Sequence, residues 1–253
     1  MSTIIYEPKG KAREYSELAV NLYTGCSHAC KYCYCPAISY KKLEDFAKDP
    51  KPRADILKKL EADAAKMKGE TRQVLFSFMS DPYQSDEAAA LTREALLILE
   101  KYEFKNVSVL TKAGPRAVRD FDILARNGWK FGSTLIFTKE ADREKWEPGT
   151  PALLDRARAI RKAHEMGIFT WVSIEPVIDP HQAIKVIQAL RHDVDFWKVG
   201  KLNHFPEIEK QIDWRDFYEQ VKKNIPEEKV YFKIDLLKAV EQKQGSSLIL
   251  TLF

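Results

Sequence analysis

Cysteine is scarce in this chain and confined to one place: four in 253 residues, all between Cys26 and Cys35. Thiols packed that closely cannot staple distant parts of a secreted fold, so a disulfide scaffold is excluded and a reducing cytoplasm is the expected compartment. Long apolar runs are missing too. None approaches the ~18 residues that a membrane helix needs. Glu7, Lys9, Lys11, Arg13, Glu14 and Glu17 interrupt the first twenty residues, leaving no apolar core of a signal peptide. No self-similar period, low-complexity tract or Gly/Ser linker marks a domain boundary. Charge of one sign is also lacking: 41 Lys+Arg against 37 Asp+Glu gives +4, enough to meet a few phosphates but not a duplex footprint. No helix-turn-helix or zinc-finger pattern is present.

What is present is alternation. Segments rich in Val, Ile and Phe at 18–23, 74–79, 107–111, 132–137, 169–174, 196–199 and 230–234 read as strands. Amphipathic stretches at 52–68, 86–102, 115–127, 151–166, 180–191 and 213–223 read as helices. Thr150-Pro151 and Asp179-Pro180 are start signals, and Gly167 suits the residue after a helix end. In the 151–166 stretch Leu153, Ala157, Ile160 and Ala163 form the apolar stripe, and Arg156, Arg158, Arg161 and Lys162 take the other faces. Six strand–helix repeats predict a parallel sheet, open or an incomplete barrel, with the ligand site beyond the carboxyl ends of the strands. Those ends carry Cys26 onward, Ser80-Asp81, Lys112, Thr138, Glu175 and Gly200-Lys201.

The sequence Cys26-Ser-His-Ala-Cys30-Lys-Tyr-Cys33 has a CxxxCxxC spacing on a short loop. Three thiolates there suit zinc, Cu(I) or an iron–sulfur cluster. A closed zinc site wants four ligands, and no second cysteine pair exists to complete one; Cys35 or His28 would have to crowd the same loop. A 4Fe–4S cluster usually takes four cysteines, so three leave one iron open for chemistry.

With its cluster loop after the first strand and Tyr32 just before the last cysteine, the chain resembles the radical S-adenosylmethionine (SAM) enzymes. It is similar in particular to their spore-photoproduct-lyase-related branch. That likeness rests on Glu14-Tyr-Ser-Glu-Leu-Ala-Val-Asn-Leu-Tyr-Thr-Gly-Cys26 through Tyr34, Ser80-Asp81-Pro82-Tyr83-Gln84, Leu110-Thr111-Lys112, Glu147-Pro148-Gly149-Thr150-Pro151 and Glu175-Pro176. The resemblance implies a partial (βα)6 TIM-like barrel of parallel strands, a single domain with its core at about 16–201. A less regular C-terminal segment, about 202–253, closes one side. It implies a 4Fe–4S cluster on Cys26, Cys30 and Cys33, whose open iron binds SAM. Reductive cleavage then gives a 5′-deoxyadenosyl radical that abstracts hydrogen from substrate. Tyr32, Ser80, Asp81, Lys112, Thr134, Ser173 and Glu175 fall where relatives meet the cofactor. Asp81-Pro82 equally suits a turn, Lys112 a solvated loop lysine and Thr134 a packed β-branched residue.

Spore photoproduct lyase itself also uses a thiol near the end of the second strand, a position that falls near Phe78 here. With no cysteine after Cys35, the chain is expected to belong to the branch without having that activity. Cys35 is either a hydrogen donor, an alternative ligand or a small buried residue. Cys35, Tyr83 and Lys201 are the candidate catalytic side chains. Tyr83, Trp146, Trp171 and Trp197 could stack bases or pack in the core, and Lys112, Lys139, Lys198 and Lys201 would form a cationic rim. A nucleotide, a short nucleic-acid segment or an anionic metabolite is the expected substrate class, with a flavodoxin or ferredoxin-type electron donor. The rival reading is a non-catalytic nucleic-acid-binding module with a structural zinc loop.

Overall fold

The computed structural model describes residues 3–249, and side chains as far as Gln242. Residues 250–253 of the expected closing segment lie outside the described residues. Seven strands form one parallel sheet in sequence order: β1 (Leu18–Val20), β2 (Val74–Phe76), β3 (Val107–Thr111), β4 (Lys130–Thr134), β5 (Phe169–Val177), β6 (Phe196–Lys201) and β7 (Val230–Phe232). Neighbouring strands are consecutive in the sheet and each pair is joined by one crossover, as parallel pairing requires. Helices α1 (Ile56–Lys66), α2 (Asp86–Lys101), α3 (Phe121–Asn127), α4 (Leu153–Glu165), α5 (Pro180–Leu190), α6 (Trp214–Asn224) and α7 (Ile234–Ile249) follow the seven strands in turn. The architecture is the partial barrel expected from the strand–helix alternation. Its seventh strand, registered on β6 through Lys198 and Tyr231, lies in the segment beyond residue 201.

Local chemistry sets the helix starts. Ser85 accepts from the Ala88 amide at 3.1 Å to cap α2, and Asp179 accepts from Gln182 at 3.1 Å to cap α5. The outward strand residues Val74, Phe76, Val109 and Phe131 are fully buried against Leu96, Leu99, Leu124 and Ile160 of the helices. Such side chains contribute roughly 1.5–3 kcal/mol each.

Several boundaries move from expectation. Helix α4 begins at Leu153, not Pro151, because the Thr150 hydroxyl is spent on the Glu147 carbonyl at 2.6 Å and Glu140 takes the Leu153 amide instead. Strand β4 spans Lys130–Thr134, two residues earlier than expected; Leu135, Ile136 and Phe137 are buried but leave the ladder. Residues 51–52 pair with Tyr23–Thr24 in a two-stranded ribbon, so α1 starts only at Ile56.

Candidate functional site

The cysteine loop leaves the ribbon after Thr24 and lies over the carboxyl ends of the strands. Its backbone is fixed from three sides. The Lys31 amide donates to the Trp146 carbonyl at 2.9 Å, the Gly149 amide to the His28 carbonyl at 3.0 Å, and the Ser27 amide to the Gln84 side chain at 2.7 Å. Residue 149 must be glycine for this contact, since a Cβ there would lie 2.2 Å from the Ser27 carbonyl oxygen. Cys26 and Cys33 are half-buried, and Cys30 and Cys35 are buried.

The backbone at His28 and Asp81 favours the Cys26 thiolate, and that at Cys35 favours the Cys33 thiolate. Burial pushes the Cys26 thiol up to about 12 and raises Cys30 as well, the latter against the pull of Lys112. The neighbouring Cys35, opposed by burial, holds the Cys33 thiol below its ordinary value. Filling such a site with a thiolate-bound metal group therefore releases protons. Among the described residues no three His, Cys, Asp or Glu side chains converge as a single metal ion requires. An iron–sulfur group does not ask for that convergence, because each cluster thiolate binds its own iron, and three cysteines on one loop are the donor set that such a group takes.

Beneath the loop is a buried floor. Tyr32 donates its hydroxyl to Glu147, whose other oxygen takes the Arg156 guanidinium at 2.6 Å. Arg156 also bonds Thr150 and, at 3.1 Å, the Pro151 carbonyl. Both ionic side chains are 0% exposed. Burial works against the Glu147 carboxylate, but Arg156 and Lys112 outweigh it and hold its pKa below the usual value. The Lys112 ammonium lies 5.6 Å from the Tyr32 ring centroid; burial pulls its pKa down, and the charges of Cys30 and Glu147 raise it overall. Asp81 knits loop to strands, accepting from Thr111 Oγ1 at 2.7 Å, the Lys112 amide at 2.7 Å and the Tyr83 amide at 2.8 Å, with His28 Nδ1 at 3.5 Å. The buried Nε2 of His28 has no partner.

A second polar group occupies the barrel interior. Tyr15 donates to Glu175 at 2.5 Å, so Ser173, 2.9 Å away, donates to Tyr15. Lys233 bonds both Glu175 oxygens at 3.2 and 3.0 Å. Gly200 makes room for them, since a Cβ there would lie 2.7 Å from the Glu175 carboxyl carbon.

The structure thus brings Cys26, Cys30, Cys33, Tyr32, Asp81 and Lys112 together, and places Ser173 and Glu175 in the interior. Ser80 holds Ser77 through its carbonyl at 2.5 Å. Thr134 is buried at the end of β4, where its carbonyl accepts from Arg156. Cys35 donates to the Phe78 carbonyl at 3.1 Å. Tyr83 is wholly buried and donates to Asp120 at 3.0 Å, and Trp197 lies in the core. Lys201 binds Glu209 at 2.5 Å and the Leu202 carbonyl at 2.7 Å, holding the turn after β6. Three residues escaped sequence reasoning. Arg156, expected on an outer helix face, is fully buried; Tyr15 was visible only as part of the motif before β1; Lys233 follows the last strand.

The profile of the Radical SAM superfamily matches residues 20–194, more than half of the chain. An uncharacterized protein of Methanocaldococcus jannaschii is 28% identical over 169 residues, covering 64% of this chain and 61% of that protein. An uncharacterized protein of Acidianus two-tailed virus is 27% identical over 209 residues, covering 75% of this chain and 64% of that protein. The chain thus spans less than two thirds of the length of either relative. Among solved structures, spore photoproduct lyase complexed with dinucleoside spore photoproduct superposes with a TM-score of 0.67 at 17% identity, covering 90% of this chain and 78% of that one. Streptococcus suis SuiB bound to S-adenosylmethionine gives 0.60 at 14% identity, covering 85% and 49%. At these identities the two structures share the fold.

Proposed function

Since this chain belongs to the radical SAM superfamily, we propose that it is a radical enzyme whose Cys26, Cys30 and Cys33 hold a 4Fe–4S cluster with one iron left for SAM. When bound, the pair supplies a 5′-deoxyadenosyl radical that takes hydrogen from substrate. The observation carrying this reading is the three-cysteine loop over the strand ends, held there by the backbone bonds to Trp146 and Gly149 and by the Gln84 side chain. The Lys112 ammonium favours the Cys30 thiolate, and the Tyr32–Glu147–Arg156 floor keeps the loop in place. Ser80 and Asp81, in the segment after β2, would lie on the side that meets the SAM amino group. With its carboxylate already taken by Thr111 and Lys112, Asp81 acts by positioning the loop. Glu175, Lys233 and Tyr15 offer the interior a carboxylate, an ammonium and a phenol to orient substrate.

The substrate class is a nucleotide, a nucleic-acid segment or an anionic metabolite, which the interior lysines suit, and a flavodoxin or ferredoxin-type donor delivers the electron. The reaction class within the superfamily is open, and the whole described chain acts as one domain. Protein purified without oxygen should be brown, with about four irons and four sulfides per chain. With dithionite and SAM it should yield 5′-deoxyadenosine, and Cys30→Ala should abolish both. Colourless, zinc-loaded protein under the same conditions overturns the reading in favour of a structural zinc loop.

A further inference from the structure

The end of the barrel away from the cysteine loop holds a solvent-reaching cavity of about 280 Å³, at the small end of ligand pockets, which run from roughly 300 to 1,000 Å³. Its walls are residues at or next to the first positions of their strands: Lys130 in β4, Phe169 in β5, Phe196 in β6 and Ser108 in β3, with Gln73 just before β2. Tyr15 and Trp171 form its ceiling. The Trp171 indole donates to Ser108 Oγ at 2.9 Å and lies where a Cβ on Gly132 would be, 2.2 Å from its ring. The Tyr15 ring, 6.1 Å from both Trp171 and Phe78, fills the rest. The cavity is therefore separated from the cysteine end by packed aromatic rings.

Its charge is one-sided. Two lysines line it and no carboxylate does. Lys130 gives one hydrogen bond, to Gln73 Oε1 at 3.1 Å, and Lys198 gives two, to the carbonyls of Glu14 and Tyr15 at 2.8 and 2.9 Å. An ammonium has three donors; among the described residues, N–H groups of both lysines remain unspent over aromatic walls. Both lysines are half-buried, and cations withdrawn that far from water favour a counter-charge. Lys130 sits 5.5 Å from the Phe169 ring centroid, and Lys198 5.9 Å from that of Trp171.

We infer that this cavity is a second binding site, distinct from the cofactor end, for a small organic anion with a flat aromatic or unsaturated body. The anionic group lies between Lys130 and Lys198, and the flat part stacks among Phe169, Trp171 and Phe196. The inference stands apart from the radical reading, since the site can fill whether or not the cysteines carry a cluster. The ammonium of Lys198 is lowered to about 8 by burial and by Lys233 and Lys130, against the attraction of Glu14 and Glu175. Binding should accordingly weaken as pH rises through about 8.

Isothermal titration of the full chain at pH 7 tests it, with phenyl phosphate and benzoate as aromatic anions, inorganic phosphate as a bare anion and benzyl alcohol as a neutral ring. At least one aromatic anion should bind saturably, ten-fold or more tighter than both the bare anion and the neutral ring. Lys130→Gln and Lys198→Met should each weaken it ten-fold or more, while exposed Lys210→Met changes nothing. Should Lys198→Met fail to fold, Lys130→Gln and Gln73→Glu, which sets a negative charge at the mouth, decide the matter. Absence of saturable binding, affinity equal to that of benzyl alcohol or phosphate, or indifference to the folded variants overturns the inference.

Discussion

Two triads, each a tyrosine, a glutamate and a cation, stand at different depths of this barrel. Under the cysteine loop Tyr32 donates to Glu147, which is held by Arg156; in the interior Tyr15 donates to Glu175, which is held by Lys233. The first is closed. Both its ions are 0% exposed and the guanidinium spends its fork on Glu147, Thr150 and backbone carbonyls. The second is open, with the Glu175 side chain 18% exposed and a further cation, Lys198, 5.0 Å from the Tyr15 ring centroid. A balanced, sealed pair does architectural work. A half-open triad, whose Tyr15 also lines a lysine-bearing cavity, is arranged to meet something else.

The comparison breaks most readily at Glu147. Glu147→Gln leaves Arg156 buried without a counter-ion, a loss of about 3–5 kcal/mol. At about 2–4 °C per kcal/mol for a chain of this size, melting should fall by roughly 10 °C, and iron content should fall as the loop loses its floor. Glu147 has a folded pKa depressed below its unfolded value. Its stabilisation is therefore present above the ordinary carboxylate pKa of about 4.3 and is lost as pH falls through and below it. Circular-dichroism melts at stepped pH should show a shallower acid limb in the variant. An acid limb as steep as wild type would mean that the floor is not what the loop stands on.

Lys233→Met tests the other triad and should cost less, about 1–3 kcal/mol, because Glu175 keeps the Tyr15 bond and access to water. Iron and sulfide per chain should stay at the wild-type value, as Lys233 touches nothing in the cysteine loop. A variant that loses iron as Glu147→Gln does would erase the distinction between architectural and substrate-facing triads.

How much of this could be read in the residues differs along the chain. The strand–helix alternation and the cysteine spacing are local patterns, so the parallel topology and the place of the cysteine loop at the strand ends were both legible. Tyr32, Asp81 and Lys112 were legible because they lie in contiguous motifs beside strand ends. Thr150-Pro151 carried a true signal with the wrong meaning: its hydroxyl serves Arg156, a partner six residues on, instead of the helix amide. Arg156 was misplaced because helical periodicity assigns charge to solvent, and only the buried Glu147 from a different segment overrides that preference. Lys233 and Tyr15 meet across more than two hundred residues, and no spacing within either segment announces it. The cavity between Lys130 and Lys198 is likewise a product of register, since inward positions of β4 and β6 face each other only once the sheet has curled.

The smallest expected effect is at Cys35, and it bears on whether the cysteine loop divides into three ligands and one bystander. Cys35 is 3% exposed and opens the short helix Cys35–Ile38. Its thiol donates its single hydrogen to the Phe78 carbonyl at 3.1 Å. That bond ties the loop to the segment after β2, and a thiol is a weak donor, so Cys35→Ala should cost on the order of 1 kcal/mol through a small void and a lost contact. The Cys33 thiol, which the neighbouring Cys35 holds below its ordinary value against the opposing effect of burial, should titrate higher in the metal-free variant, with slower alkylation at neutral pH as the readout. Iron content should be unchanged, in contrast to Cys30→Ala, which should bind none. If Cys35→Ala loses iron in proportion, the fourth thiol is a ligand. The loop would then hold four sulfurs and no open iron, and the closed arrangement under the loop would extend to the metal itself.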